Sequence, residues 1–196
     1  AVATDGKLDE WANVPAFAIA RVVQREGKPS HEIIGTGRFA YDDSAFYVAI
    51  EVEDAKHVQT GNAWTLWNED SVQMGFDPLL DGARVAEGGF RADDYEYGFA
   101  SSEAGLLVGR SLAPQGMAVG AIESVKLGFA REGTKSRYEI AFPWSELAPF
   151  VPGPGKTFAA SVLVNNSDGS GRSWVEWGGG LADNKDPRKF IPVVLR

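Results

Sequence analysis

Short apolar–polar alternations, separated by turn clusters and almost free of helical periodicity, constrain this chain most. Gly37–Tyr41 leads through Asp42-Asp43-Ser44 into Ala45–Val52, the pattern of a hairpin around an Asp/Ser turn. Further runs of the same kind are Ser71–Phe76, Tyr95–Ala100, Ser124–Phe129, Arg137–Phe142, Phe158–Val164, Ser173–Trp177 and Ile191–Leu195. Side chains on a strand alternate faces, so period-two runs predict sheets with one face turned to a core. Only Leu8–Trp11 and Pro143–Leu147 suggest helix, one turn each. The expectation is all-β: a single antiparallel β-sandwich, jelly-roll-like, forming one domain over residues 1–196. A folded chain of 21.1 kDa exposes roughly 9,000 Å².

Charge narrows the function. With 19 basic and 27 acidic side chains the net charge is -8. That argues against binding nucleic acid, whose non-specific affinity rests on Lys and Arg, and against docking to an anionic membrane surface. No apolar run reaches the roughly 20 residues needed to span a bilayer. The first residues, AVATDGKLDE, lack the basic and apolar regions of a signal peptide, and an Ala start suits a mature end left by signal cleavage. The absence of Cys excludes disulfides, thiolate metal sites and thiol catalysis.

Catalytic patterns are sparse. His31 and His57 are the only histidines and form no triad order or metal-binding spacing. The Gly178-Gly179-Gly180 run opens no helix, and Asn165–Gly171 lacks the Glu an EF-hand loop requires at its twelfth position. Ligand binding is better supported. Trp64 and Trp67 stand in the polar loop Gly61–Asp70, where an indole offers a platform for the axial C–H face of a sugar. Acidic pairs recur at Asp42/Asp43, Asp77/Asp81, Asp93/Asp94 and Asp183/Asp186, donors that suit Ca²⁺.

Several segments in order carry a resemblance. They are Asp5–Trp11, Phe46–Asp54, Trp67–Gln73, Tyr138–Trp144, Val164–Gly169, Trp174–Trp177 and Lys185–Phe190. Together they resemble the family 9 carbohydrate-binding modules, often appended to xylanases and other polysaccharide-active enzymes. The resemblance implies a β-sandwich, structural calcium, a secreted, periplasmic or cell-surface location, and tethering to a glycoside-active enzyme. It implies no catalysis. It also implies a sugar held between two Trp rings with help from a carboxylate, an Arg and amides. The first Trp falls on Trp67, but the carboxylate falls on Gln73, the second Trp on Asn184, the Arg on Gly98 and an amide on Leu163.

Trp67 is therefore expected as the platform, with Gln73, Glu69 and Asn165 as hydrogen-bonding groups. Trp64, Trp174, Tyr95 or Arg91 would replace the lost contacts. Asp77, Asp81, Asp93 and Asp94 are the expected calcium ligands, and Trp11, Trp144 and Trp177 are expected in the core. Two other functions stay open: a haem b electron-transfer sandwich using Met74, Met117, His31 or His57, and a structural accessory domain whose sugar site has decayed.

Overall fold

A computed structural model describes residues 2–27, 33–82, 89–169, 171–182 and 185–196. Thirteen strands form two sheets: β1 Ala16–Ile19, β2 Arg21–Gly27, β3 Ile34–Tyr41, β4 Ala45–Glu53, β5 Ser71–Asp77, β6 Tyr95–Ser102, β7 Gly105–Leu112, β8 Gly120–Ala121, β9 Lys126–Glu132, β10 Lys135–Pro143, β11 Thr157–Ser167, β12 Gly171–Trp177 and β13 Ile191–Val194. One sheet runs β1-β3-β4-β10-β9; the other runs β2-β12-β11-β5-β6-β7-β8, with β13 also pairing β11. All the pairings are antiparallel. Sheet on sheet is the sandwich the alternation predicts, and its surface area is 9141 Å².

Alternation assigns the faces. Phe46, Val48, Ile50 and Val52 of β4 point inward with Ile140 and Phe142 of β10. They meet Val72, Met74 and Phe76 of β5, Tyr95, Tyr97 and Phe99 of β6, and Val162 and Val164 of β11. Edge-to-face rings fill the middle, with Phe76 and Phe142 5.0 Å apart and Phe46 and Phe158 5.2 Å apart.

The expected Asp42–Ser44 turn is there. Asp42 accepts from the backbone N–H groups of Ser44 (2.8 Å) and Ala45 (3.1 Å), and from the hydroxyls of Ser44 (2.6 Å) and Tyr47 (3.0 Å). The outward face of the five-stranded sheet is covered by the N-terminal segment. Trp11, at the end of the 3₁₀ turn Asp9–Trp11, packs on Tyr47 and Ala49. The buried Glu139 carboxylate accepts from Trp11 Nε1 (2.7 Å), Gly6 N (2.7 Å) and Asp5 N (3.0 Å). Trp144 lies in the main core and Trp177 packs partly buried against it.

Three differences from the sequence reading have simple causes. Pro143–Leu147 forms only the 3₁₀ turn Trp144–Leu147. β9 starts two residues later than expected, at Lys126. β1, β2, β7 and β8 are not marked by the alternation; in β7 glycines at 105 and 109 interrupt the pattern, and β8 has only two residues. β1 and β2 are one extended run that changes sheets at Ala20.

Candidate sugar-binding groove

The outward face of the eight-stranded sheet carries a groove of about 590 Å³. Because Tyr95, Tyr97 and Phe99 point into the core, Glu96 and Gly98 between them face outward. By the same parity Gln73 of β5, Leu163 of β11, and Arg172 and Trp174 of β12 line the groove. Gly109 and Ser111 come from β7, Trp64 and Trp67 from the loop before β5, and Lys185 from the segment after β12.

Glycines seat the tryptophan loop. A Cβ at Gly98 would lie 2.6 Å from Leu66 Cδ1, and one at Gly109 would lie 2.5 Å from the Ala63 carbonyl oxygen. Position 98 thus has no room for a side chain, since Leu66 packs where one would stand. Trp64 lies over Gly120, whose Cβ would be 2.8 Å from Trp64 Cζ2. Asn62 Oδ1 accepts from Trp64 N (2.9 Å), and Gln59 Nε2 donates to the carbonyls of Leu66 and Asp70, both at 3.0 Å. The Trp64 and Trp67 rings stay 57% and 47% exposed. Arg172 Nη2 donates to the Trp67 carbonyl (3.0 Å), and its guanidinium lies 5.5 Å from the Trp67 ring and 4.7 Å from the Trp174 ring.

The floor is a relay of polar groups. Asn165 Nδ2 donates to Gln73 Oε1 (3.0 Å) and Gln73 Nε2 donates to Glu96 Oε1 (2.7 Å). Lys185 Nζ donates to the same Glu96 oxygen at 2.6 Å. Glu96, on the neighbouring strand, thus places a carboxylate beside Gln73.

The expected residues divide. Trp64, Trp67, Gln73 and Trp174 line the groove. Asn165 is buried one step behind Gln73, and Asn184 lies outside the described residues. Glu69 is held by Thr60, whose hydroxyl donates to it at 3.0 and 3.1 Å, and it does not line the groove. Arg91 sits beside the acidic cluster, 3.7 Å from Asp81, and does not line the groove either. Tyr95 must be corrected. It is fully buried between the sheets, burial pushes its phenol up to about 12, and its hydroxyl donates to the Ala148 carbonyl. A side chain on the inward face of β6 cannot reach a ligand on the outward face. Glu96, Arg172 and Lys185 were missed.

Of the expected haem ligands, Met74 is buried in the core, Met117 Sδ lies 3.4 Å from the Tyr95 hydroxyl oxygen, and His57 Nε2 lies 2.8 Å from the Ser101 carbonyl. None of these three lines the groove. His31 is outside the described residues.

The four expected calcium ligands do come together. Asp77, Asp81 and Asp93 each offer an oxygen within 4.8 Å of the others, and Asp94 adjoins them at 0% exposure. Asp77 accepts from Gly82 N (3.0 Å) and Asp81 N (3.2 Å), whereas one buried oxygen each of Asp81, Asp93 and Asp94 accepts no hydrogen bond among the described residues. Burial, followed by the neighbouring carboxylates, pushes Asp94 up to about 7 and Asp93 upward. Hard, unsatisfied carboxylate oxygens at this spacing fit a calcium ion.

Comparison with known proteins agrees with this fold. The family model "Carbohydrate family 9 binding domain-like" matches residues 4–196. The fold is similar to that of a family 9 carbohydrate-binding module from Caldicellulosiruptor kristjanssonii, solved in complex with cellotriose. The TM-score is 0.76 at 19% identity, over 100% of this chain and 90% of that one. A family 9 module from the same organism in complex with glucose gives a TM-score of 0.76 at 18% identity, over 100% and 92%. A putative carbohydrate-binding protein from Bacteroides uniformis gives 0.63 at 16% identity, over 96% and 89%. No curated protein matches the chain.

Proposed function

Since the chain belongs to the family 9 carbohydrate-binding domains, which are non-catalytic, we propose that the groove binds a sugar stacked on Trp67. The observation that carries this reading is a half-exposed indole beside a floor of paired hydrogen-bonding groups, Gln73, Glu96 and Lys185. Aromatic faces take the apolar side of a pyranose, and the polar row takes its hydroxyls. Trp64 extends the platform, while Arg172 fixes the Trp67 ring from beside it. Calcium at Asp77, Asp81, Asp93 and Asp94 stabilises the loops at the end of β5 and before β6 and has no chemical role. A module of this kind acts outside the cytoplasm, tethered to an enzyme that works on polysaccharide.

Isothermal titration with glucose and cello-oligosaccharides tests the reading, because the similar solved modules hold glucose and cellotriose. Trp67→Ala should weaken binding about tenfold or more, the worth of one stacked ring. Its melting temperature should fall by only a few degrees, as half the ring is already in water. Silence of the unaltered protein across a broad neutral panel would overturn the proposal in favour of a decayed site. Unchanged affinity in Trp67→Ala would remove Trp67 from the site.

A further inference from the structure

A second cluster of donors lies away from the groove and from the acidic loops. At one end of the sandwich a small void of about 10 Å³ is lined by Asp54, His57, Asp70 and Asn166 together with Ser136 and Tyr138. That is space for about one water molecule or one ion. Asp54, His57 and Asp70 each offer an atom within 4.8 Å of the other two. Asn166 shares the inward face of β11 with Val164, is 2% exposed, and has a buried side-chain carbonyl oxygen that accepts no hydrogen bond. Its amide nitrogen is already committed to Ser173 Oγ at 3.3 Å.

The imidazole is oriented by its other nitrogen. His57 Nε2 lies 2.8 Å from the Ser101 carbonyl oxygen, which can only accept, so Nε2 carries the hydrogen. In the neutral ring Nδ1 then presents a lone pair toward Asp70 Oδ2, 3.8 Å away. Two acceptors at that distance do not hydrogen-bond, but the separation suits two donors of one ion. Bonds of about 2.0–2.2 Å put neighbouring ligands roughly 3–4.4 Å apart. An imidazole held through its far nitrogen by a carbonyl is the usual outer support of a metal-binding histidine. Asp54 and Asp70 are both buried, and Arg131 lies 3.7 Å from Asp54 Oδ2. His57, less buried than the carboxylates, also borders an open surface groove with Gly61 and Ser101, which gives an ion a way in.

We propose that His57, Asp54, Asp70 and Asn166 form a second metal site, selective for a divalent transition ion of the zinc type. Imidazole nitrogen with carboxylate and amide oxygens favours such an ion over calcium, which takes oxygen donors. The site is distinct from the acidic loops, where all four candidate donors are carboxylates.

The test uses the whole chain with calcium present in excess, so that the acidic loops are occupied. Titration with Zn²⁺ should show one tight site per chain and raise the melting temperature. Co²⁺ at the same site should give visible d–d absorption. His57→Gln should weaken Zn²⁺ binding by about 100-fold or more, given that even outer supports of a metal site contribute 10–100-fold. His31→Gln, which removes the other histidine, should leave it intact. If His57→Gln fails to fold, the nitrogen NMR shift of His57 Nδ1 in the unaltered protein serves instead, and should move on adding Zn²⁺. No Zn²⁺ binding, binding indifferent to His57→Gln, or an ion displaced by calcium would each overturn the proposal.

Discussion

Gln73→Glu restores the acidic residue that the family resemblance leads one to expect, and in this chain it should be harmful. Gln73 Nε2 sits 2.7 Å from Glu96 Oε1 on the groove floor, and both side chains are buried. The substitution replaces a donor with a second carboxylate. At an effective dielectric of about 20, two charges about 4 Å apart repel by about 4 kcal/mol. The pair can escape by sharing a proton, and holding one at pH 7 on a group with a reference pKa of about 4.3 costs about 3.7 kcal/mol, which caps the penalty. Lys185, 2.6 Å from Glu96, offsets part of it. We expect about 2–3 kcal/mol lost at pH 7, or roughly 5–10 °C in melting temperature for a chain of this size. The pH sign is fixed. The folded variant binds a proton that its unfolded chain releases above about pH 4, so stability relative to the unaltered protein falls as pH rises from 4 to 7. Thermal melts followed by circular dichroism across that range measure it. A variant melting within about 1 °C of the original at pH 7, or a penalty that does not shrink toward pH 4, would refute the reasoning.

Glu139→Ala leaves the N–H groups of Trp11, Gly6 and Asp5 without their acceptor. It should cost about 3 kcal/mol in denaturant unfolding and expose Trp11 to fluorescence quenchers. Gly98→Ala would drive a methyl group into Leu66, so sugar affinity should fall along with a blue or red shift of Trp67 emission, even though residue 98 has no side chain to offer a ligand. The hydrogen bonds from Ser44 hold the Asp42 carboxyl well below the usual carboxylate range. The stability this contributes is present above the unfolded pKa of about 3.9 and is lost as pH falls below it, so Asp42→Asn should flatten the acid limb of the melting curve between pH 5 and 2. Chelation of calcium should lower the melting temperature, and Asp94→Asn should make the protein less sensitive to chelator.

Most of the fold was legible because strand alternation is a local signal. The Asp42–Ser44 turn needs only neighbouring residues, and Trp11 and Trp144 are where motif position places them. The groove was legible at Trp64, Trp67 and Gln73, which one stretch of sequence carries, and at Trp174 of β12. Its remaining groups come from different strands: Glu96 from β6, Arg172 from β12 and Lys185 beyond β12. Their proximity depends on pairing β5 with both β6 and β11, which no linear motif states. Tyr95 and Glu96 show the limit from the other side. The run Tyr95-Glu96-Tyr97-Gly98-Phe99 already places its aromatics on one face. Following that alternation to its end gives Glu96 to the opposite face and keeps Tyr95 from a ligand.

The crossing at Ala20 has a mechanical consequence. β1 lies at the edge of one sheet and β2 at the edge of the other, and a single residue joins them. One side of the sandwich is therefore closed by a covalent seam. To part the sheets there, the β1–β3 or the β2–β12 ladder must first be unzipped. On the opposite side β8 and β9 end their sheets joined by the longer tie of residues 122–125, and tension applied at the N-terminus would peel β1 before it reached the strands that carry the groove.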